Sequence, residues 1–459
     1  MFVGRKKEFK RLEKLYRSNQ FQFVVMYGRR RVGKTRLVTE FIKGKRAIYF
    51  MAQETTEQEN LREFSFCIQH SFSQDENLAY STFQDGFRGI LQYAKKEKII
   101  IVIDEYPYLA NTKKGFNSLM QFVIDHYFIQ KNVMLIIMGS SISFMEEEVL
   151  AYKSPMYGRQ TASMKIEPFS IFDVKEYFPT LTNEELAIVY AITGGIPLYL
   201  SYYDVSLSLE ENVKEMFFQE GGRLLEEPQN LIKQEFREPS KYNAIIQGIA
   251  LGYTKANEIA TFANIEPNNF SSYVNRLINL GIIERKTPVG NPKGKKQIYS
   301  ICDGLFLFWY RFIPGNMSLI QQGLSDVVWS RVQPHLSDYM GKVWEIISIQ
   351  WLWEKAREGE FVDVFHQLGN WWGSDKISKK EVEIDILGIG ENTYYFAECK
   401  WRKETTRMAI LESVKEKSML HNDKPYKKYI LFSRSKFSES LLEIQSEDII
   451  LVTLDDFFS

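Results

Sequence analysis

The stretch FVVMYGRRRVGKTRLVTEFI, residues 23–42, decides the fold of the first part of the chain. An unbroken apolar run is followed by a loop bounded by Gly28 and Gly33, and the segment after the loop has the apolar spacing of a helix. The two glycines let the backbone turn so that successive N–H groups point inward at a helix N-terminus, which is an anion-binding arrangement. The order of strand, loop and helix predicts an α/β sheet that binds the phosphates of a nucleotide.

The loop GRRRVGKT, residues 28–35, fits the spacing G-x-x-x-x-G-K-[ST] without a mismatch. We expect Lys34 to reach the terminal phosphates of ATP and Thr35 to place its hydroxyl on Mg²⁺. The alternative is a glycine-rich turn that binds no ligand, which the flanking strand and helix patterns disfavour. The residues predicted to contact the nucleotide are Gly28, Arg29, Arg30, Arg31, Val32, Gly33, Lys34, Thr35 and Arg36.

A second apolar run, IIIVI at residues 99–103, is typical of a buried parallel strand and ends in Asp104 and Glu105. Open α/β sheets bind ligands at the carboxyl ends of their strands. We expect Asp104 to hold Mg²⁺ through water and Glu105 to orient the water that attacks the γ-phosphate. Two solvated acids that close a strand are the alternative. A third strand, residues 133–138, is followed by Ser140, for which a polar contact at the γ-phosphate and an ordinary turn are both open.

Five segments together resemble the archaeal-type P-loop ATPases of the STAND and AAA+ group: FVGRKKEFKRL (2–12), GRRRVGKT (28–35), IIIVIDEY (99–106), IIMGSS (136–141) and GGIPLYL (194–200). The resemblance covers about the first half of the chain and implies ATP hydrolysis under a helical lid. It implies that Val3 and Gly4 lie near the adenine, and that Pro197 belongs to a motif whose helix closes over the nucleotide. It also implies a phosphate-sensing role for Arg159, for which a surface ion pair is an equal alternative.

Composition restricts the remaining function classes. Lys plus Arg and Asp plus Glu both number 58, so no overall field attracts nucleic acid and any such affinity needs local patches. The three cysteines follow no metal-ligand spacing, which indicates a reducing, cytoplasmic setting without disulfides. No apolar stretch reaches the roughly 18 to 20 residues of a membrane span, and we expect neither a signal peptide nor a membrane partner.

The length of 459 residues predicts a multidomain α/β protein. Helical spacing between 168 and 239 indicates the lid. We predict a flexible joint over residues 316–334, after an aromatic segment that packs. The predicted parts are a P-loop ATPase core (1–165), a helical lid (166–238), a winged helix-turn-helix (239–302), an aromatic connector and linker (303–335) and a restriction-endonuclease-like α/β domain (336–459).

The winged-helix prediction rests on three helical segments before NLGIIER, where Gly281 stops the third helix and a strand begins. The following hairpin carries Lys286, Lys293, Lys295 and Lys296, which could contact DNA phosphates. The third segment carries Arg276 as its single base, and a module that only packs against its neighbours is an equal alternative.

The last part carries a second set of charged residues on a predicted hairpin. In VEIDILGI (382–389), alternation places Glu383 and Asp385 on one face, and in TYYFAECKW (393–401) it pairs Glu398 with Lys400. A two-residue turn between the strands would set Asp385 directly opposite Glu398. Facing carboxylates repel each other unless a divalent cation bridges them, and Lys400 could stabilise charge on a phosphate.

This arrangement resembles the PD-(D/E)XK nuclease superfamily, and GKVWEIISIQWLW (341–353) supplies Glu345 from a preceding helix. The resemblance implies a catalytic site of Glu345, Asp385, Glu398 and Lys400, with Asp385 and Glu398 as ligands of Mg²⁺ or Mn²⁺. A charged strand pair on an ordinary α/β domain is the alternative, because E-x-K recurs by chance.

We therefore expect an ATPase coupled through a winged helix to a metal-dependent nuclease-like domain that acts on DNA, in genome defence or mobile-element control. The alternative is a nucleotide-switched regulatory or scaffold protein whose last domain binds DNA or protein without cutting. The sequence leaves a homo-oligomer open.

Overall fold

The structure is a computed structural model and describes residues 2–72, 79–94, 97–113, 115–291, 296–375 and 379–458. The chain forms two compact units, Met1–Pro168 and Phe169–Ser459. The finer division into five parts stays a prediction. Among the described residues, no helix combines the length and apolar character needed to cross a bilayer.

The first unit is a parallel α/β fold. Its strands are β1 (Gln22–Tyr27), β2 (Ala47–Met51), β3 (Ile99–Asp104), β4 (Val133–Gly139) and β5 (Ala162–Lys165). Its α-helices are α1 (Lys6–Tyr16), α2 (Lys34–Ile42), α3 (Glu57–Phe72), α4 (Phe83–Ile90), α5 (Tyr106–Thr112), α6 (Phe116–Val123) and α7 (Ile142–Phe144). A 3₁₀ turn covers Leu91–Tyr93, and π-helical turns cover Ile124–Phe128 and Met145–Val149.

The sheet of this unit has the order β2-β3-β4-β1-β5 within the described residues, with parallel pairing throughout. Every residue of β3 and β4 is buried, as the unbroken apolar runs predict for central parallel strands. Because the strands are parallel, the loops after β1, β3 and β4 leave the same edge of the sheet. This edge brings together the loop at 28–33, the acids after β3 and the serines after β4.

The second unit begins with helices and ends with a mixed sheet. Its α-helices are α8 (Ile171–Tyr177), α9 (Asn183–Thr193), α10 (Pro197–Leu200), α11 (Leu209–Phe217), α12 (Glu227–Glu235), α13 (Pro239–Ala250), α14 (Ala256–Phe262), α15 (Pro267–Asn279), α16 (Gly304–Phe312), α17 (Met317–Gln321), α18 (Ser325–Val332), α19 (Leu336–Glu358), α20 (Met408–Ser418), α21 (Glu439–Leu442) and α22 (Leu454–Phe457). Its strands are β6 (Ile283–Lys286), β7 (Ile298–Ile301), β8 (Gln367–Ser374), β9 (Glu381–Ile389), β10 (Thr393–Lys400), β11 (Tyr426–Ser433) and β12 (Ile449–Thr453), and 3₁₀ turns cover Pro314–Asn316 and Gln333–His335.

Helices α13, α14 and α15 precede the antiparallel pair β6–β7, in the order that the sequence predicted. Buried apolar residues of all three helices, such as Ile245, Ile259 and Leu277, form the interior of this helical module. Whether the module acts as a winged helix stays a prediction.

The predicted flexible joint over 316–334 is wrong. The segment contains α17 and α18, and Ile320, Val328 and Val332 are 0 %, 0 % and 1 % exposed. The spacing of Val328 and Val332 at i and i+4 places both on one face of α18, which is buried. Ser330 and Arg331, between these two valines, are exposed and occupy the solvent face of the packed helix.

The C-terminal sheet has the order β12-β11-β10-β9-β8 within the described residues. The strands β8, β9 and β10 pair antiparallel, whereas β10, β11 and β12 pair parallel. β8 lies at the edge, and the segment after β6 covers part of that edge through the Val289 N–H, which donates to the Asn370 carbonyl oxygen at 3.1 Å. Val289 also packs against the apolar core of the sheet.

Candidate functional site

Three residues with positive φ shape the loop between β1 and α2: Gly28 at 153°, Arg31 at 72° and Gly33 at 92°. A Cβ on Gly28 would lie 2.3 Å from the Ile166 carbonyl oxygen, so the backbone of this loop passes too close to its neighbour for any side chain at 28. The Nζ of Lys34 donates to the carbonyl oxygens of Gly28 and Arg29 at 2.8 and 3.0 Å. The ammonium group therefore lies within the loop, where the sequence predicted it to meet phosphate.

The N-terminal segment braces the same loop. Arg5 is 7 % exposed, and its Nη2 donates to the Val32 carbonyl oxygen at 2.8 Å. Sequence reasoning chose Val3 and Gly4 from this segment for contact with the adenine and missed Arg5. The φ of Arg5 is 60° and that of Gly4 is 66°, so the chain turns sharply before α1. The adenine contacts of Val3 and Gly4 stay predictions.

Thr35 and Asp104 meet between the loop and β3. The Thr35 Oγ1 donates to Asp104 Oδ2 at 3.0 Å, and Asp104 is 2 % exposed. Both are hard oxygen donors, and this hydrogen bond joins the two groups that the sequence assigned to Mg²⁺, so the residues fit that ion. Tyr49 on β2 also donates its hydroxyl to Asp104 Oδ2, and burial together with the Asp104 charge raises the pKa of Tyr49. Tyr49 therefore stays protonated as a donor that orients the carboxylate.

Glu105 occupies a strained position directly after β3. Its φ is 50°, in the left-handed region that costs a non-glycine residue roughly 1 kcal/mol. The Ser140 Oγ donates to Glu105 Oε2 at 3.0 Å, and the Glu105 N–H donates to Asp104 Oδ1 at 2.8 Å. Strain of this kind persists where the surroundings fix it, frequently at functional sites. The serine after β4, for which the sequence left two roles open, holds the carboxylate predicted to orient water.

Arg159 lies in an ion pair. Its Nε and Nη2 donate to the two carboxylate oxygens of Asp125 at 2.7 and 2.8 Å. This bidentate geometry is the ion-pair alternative that the sequence left open. The phosphate-sensing role of Arg159 stays a prediction.

Pro197 lies in the second unit, at the first position of α10. The preceding Gly195 has φ 68°, and its carbonyl oxygen accepts from the Phe169 N–H at 2.8 Å. A Cβ on Gly195 would lie 2.3 Å from the Phe169 carbonyl oxygen, so the GGIP segment is held against the backbone just before α8. The role of Pro197 at the nucleotide is untested.

In the C-terminal sheet, β9 and β10 have the predicted register. Ile386 pairs with Ala397 and Ile389 with Tyr394, each pair equidistant from the turn at Glu391 and Asn392. The next positions in this register are Asp385 and Glu398. The hairpin therefore places the two carboxylates across from each other, as the two-residue turn required.

Asn370 of β8 links Glu345 on α19 to Asp385 on β9. The Asn370 Nδ2 donates to Glu345 Oε2 at 2.9 Å and to the Asp385 carbonyl oxygen at 2.6 Å. Burial and the nearby Asp385 carboxylate raise the pKa of Glu345 to about 7. Burial and Glu398 likewise raise the pKa of Asp385, whose Oδ2 accepts from the Cys399 N–H at 2.8 Å. Glu345 and Asp385 thus share a site that disfavours full ionisation.

Glu398 is neutralised by two lysines. Its Oε1 accepts from Lys400 Nζ at 2.7 Å and its Oε2 from Lys417 Nζ at 3.0 Å, and Glu398 is 8 % exposed. Burial opposes the charge of Lys400, but Glu398 and Asp385 together raise its pKa. Lys417, at the last turn of α20, was missed, because strand alternation carries no information about the crossover helix between two parallel strands.

The two lysines supply the positive charge that the sequence analysis assigned to a metal ion, so the facing carboxylates do not require a divalent cation to relieve their repulsion. Asp385 and Glu398 fit a divalent metal as oxygen donors. Within the described ranges, however, no group of three or more His, Cys, Asp or Glu residues has a metal-holding arrangement. The metal-ligand roles of Asp385 and Glu398, and the catalytic roles of the four residues predicted there, stay predictions.

The wing of the helical module is described in part. Lys286 pairs with Glu284 at 3.2 Å, and Lys296 Nζ donates to Ser374 Oγ at 3.4 Å. Lys293 and Lys295 lie outside the described residues.

Two segments of the chain match models of known families. Residues 2–203 match a family model described as an ATPase domain predominantly from Archaea. Residues 309–416 match a model described as archaeal and bacterial proteins of unknown function, and this range includes the four charged residues of the C-terminal site. The first unit is therefore an archaeal-type P-loop ATPase domain, whereas the second match assigns no chemistry.

One relative is similar to this chain over its whole length, and two other proteins are similar over part of it. The walker-type ATPase paby2304 of Pyrococcus abyssi is similar in fold, at 21 % identity and a TM-score of 0.52 over 68 % of this chain and 96 % of that one. The uncharacterized ATP-binding protein MJ0423 of Methanocaldococcus jannaschii is 46 % identical over 46 residues, 10 % of this chain and 78 % of that one. The uncharacterized protein MJECL04 of Methanocaldococcus jannaschii is 32 % identical over 462 residues, which is 100 % of both chains. The chain belongs to the same family as MJECL04 and carries an archaeal-type ATPase domain.

Proposed function

We propose that the chain binds ATP with Mg²⁺ at the 28–35 loop and hydrolyses it with Glu105. The observation that carries this proposal is the Thr35–Asp104 hydrogen bond, which joins the loop to the end of β3 beside Glu105. Mg²⁺, when bound, neutralises charge between the β- and γ-phosphates and would be held by Thr35 and Asp104. The match of residues 2–203 to an archaeal ATPase family model supports the same function.

In this proposal the loop N–H groups and Lys34 bind the phosphates, and the Lys34 ammonium exchanges its two carbonyl partners for phosphate oxygens. Glu105 accepts a hydrogen bond from the attacking water and orients it toward the γ-phosphate. Ser140 fixes the Glu105 carboxylate, so it is a positioning residue. Tyr49 does the same for Asp104.

Two variants test the ATPase proposal. Lys34→Ala should nearly abolish ATP binding, because it removes the positive charge that lies within the loop. Glu105→Gln should retain binding and lose hydrolysis, because glutamine keeps the shape of the side chain without its charge. The measurements are binding of a fluorescent ATP analogue and release of phosphate, with Glu63→Gln at an exposed position of α3 as the matched control. Unchanged ATP turnover in Glu105→Gln would show that Glu105 does not orient the attacking water.

We further propose that the second unit acts on DNA, with the α13–β7 module as a winged helix and the sheet site as a metal-dependent nuclease. Support comes from the element order of the module and from the cluster of Glu345, Asp385, Glu398 and Lys400. Lys400 would stabilise charge that develops on the scissile phosphate. Asp385 and Glu398 would hold the divalent cation, whose chemistry is to lower the pKa of a bound water. A setting in genome defence or mobile-element control, and assembly into a homo-oligomer, belong to this proposal.

A regulatory or scaffold protein is the second candidate. It is favoured by the two lysine ammonium groups that already occupy both oxygens of Glu398. In that case the charged cluster has no catalytic role, and the unit binds DNA or protein without cutting under the control of nucleotide.

Cleavage assays separate the two candidates. Plasmid and single-stranded DNA are incubated with Mg²⁺ or Mn²⁺, with and without ATP. The nuclease proposal expects cutting that Asp385→Ala abolishes while ATP hydrolysis continues, and Asp448→Ala, at an exposed position of the same sheet domain, leaves unchanged. If no nucleic acid is cut, and calorimetric titration with Mn²⁺ finds no site that Asp385→Ala removes, the scaffold candidate takes its place.

A further inference from the structure

A pocket of about 620 Å³ lies between the helical module and the C-terminal sheet, within the second unit. Its apolar wall includes Ile346, Ile349 and Trp353 of α19 and Leu368 of β8, and the residues after β6 form the opposite side. Its volume lies within the range of small-molecule sites, and about half of its lining residues are polar or charged.

The two sides of the pocket are fixed to each other. The Val289 N–H donates to the Asn370 carbonyl oxygen at 3.1 Å, and the Gly290 N–H donates to Gln367 Oε1 at 3.0 Å. Val289 fits over Gly369, where an added Cβ would already approach the valine methyl group to 3.3 Å. These two hydrogen bonds and this contact hold the two walls of the pocket together.

The pocket adjoins the carboxylate site. Asn370, which lines the pocket, donates to both Glu345 and the Asp385 carbonyl oxygen. Lys286, also at the pocket, opposes the rise in the pKa of Glu345 through its positive charge. A ligand in the pocket therefore meets the Lys286–Glu284 ion pair on one side and, on the other, Asn370, which contacts the carboxylate site.

We propose that this pocket receives an unpaired base of a nucleic-acid strand whose backbone passes the carboxylate site. The base would stack on the partly exposed indole of Trp353 against the aliphatic wall, and Lys286 would exchange its partner Glu284 for an adjoining phosphate. Aromatic stacking with flanking cations is the general mode by which proteins hold single strands. The inference rests on the proposed nucleic-acid function of this unit, and it concerns recognition rather than cutting.

The test compares a strand with bases and a strand without them. Fluorescence anisotropy with EDTA present measures binding of labelled oligothymidylate of about 12 nucleotides, within the range of single-strand site sizes, and of an abasic strand of the same length. The full chain should bind oligothymidylate roughly five- to a hundredfold more tightly. Trp353→Ala should remove that preference while abasic-strand binding stays the same, and Trp353→Phe should retain part of it.

Tyr426→Ala is the control, because Tyr426 is a 63 % exposed aromatic of the same sheet outside the pocket. Equal affinity of the full chain for both strands would overturn the base pocket while leaving phosphate-driven DNA binding in place. A preference that survives in Trp353→Ala would overturn it as well. Retained base preference without metal-dependent cutting would support the pocket and count against the nuclease.

Discussion

Replacing Glu345 by glutamine should stabilise the second unit at alkaline pH and have little effect at acidic pH. The rise in the Glu345 pKa from 4.5 to about 7 measures how strongly the folded site disfavours the ionised form. At about 1.4 kcal/mol per pK unit, the cost of the charge is roughly 3 kcal/mol. Because the side chain retains some exposure, we expect about 2 to 3 kcal/mol in experiment.

The direction of the pH dependence follows from proton uptake. Below the unfolded pKa of 4.5, Glu345 is protonated in both states and costs nothing. As pH rises toward about 7, the folded state keeps a proton that the unfolded state has released, so stability falls until the folded group has also ionised. Glutamine lacks this transition and can still accept the hydrogen bond from Asn370.

Thermal unfolding of the full chain in EDTA, at pH 5 and pH 8, measures the effect. The transition of the second unit should rise by about 4 to 8 °C in Glu345→Gln at pH 8 and by much less at pH 5. Glu358→Gln, on the same helix with a side chain 51 % exposed, should change stability little at either pH. Equal stabilisation by Glu345→Gln at both pH values would refute the argument, because it would show that the ionised carboxylate carries no penalty in this site.

The contacts of Ser140 and Gly195 and the lysines of the predicted wing each lead to an expected outcome. Ser140→Ala should lower the rate of ATP hydrolysis about tenfold without weakening ATP binding, since one positioning hydrogen bond to Glu105 is worth about 1 to 2 kcal/mol; equal rates would assign Ser140 to an ordinary turn. Alanine at the three wing lysines, Lys293, Lys295 and Lys296, should weaken DNA binding and reduce the salt slope by about 0.9 for each phosphate that is no longer neutralised; unchanged affinity and slope would make the wing a packing element. Gly195→Ala should destabilise the second unit by more than about 1 kcal/mol in denaturant titration. Alanine is disfavoured at the positive φ of this position, and its Cβ would also clash with the Phe169 carbonyl oxygen. An unchanged stability would show that the GGIP turn relaxes to accept the Cβ.

The sequence specified the ATPase core because its signals are local. The run at 99–103 is apolar at every position, which only a strand buried on both faces requires, and the spacing of the 28–35 loop fixes a turn at a helix N-terminus. The β9–β10 register was predictable for the same reason, since a two-residue turn determines every pair that follows. Tyr49, Lys417 and Asn370 were not predictable, because each reaches its carboxylate from a different element and no spacing connects them. Ser140 was placed at the right sheet edge by the end of its strand, but its contact with Glu105 was not foreseen.

The segment after β6 covers part of the edge of β8, and this cover affects how the C-terminal sheet domain behaves when it is separated from the helical module. A fragment that begins at Leu336 would lack Val289, and with it the backbone hydrogen bond at Asn370 and an apolar contact with the sheet core. Unpaired strand edges join with other chains, so such a fragment should aggregate and its insolubility would say nothing about its chemistry. A fragment that begins at Phe169, the start of the second unit, keeps this cover and also keeps α9, whose Ala191 and Tyr190 accept hydrogen bonds from Tyr339 and Gln350 of α19. It is the piece from which a soluble domain should be sought.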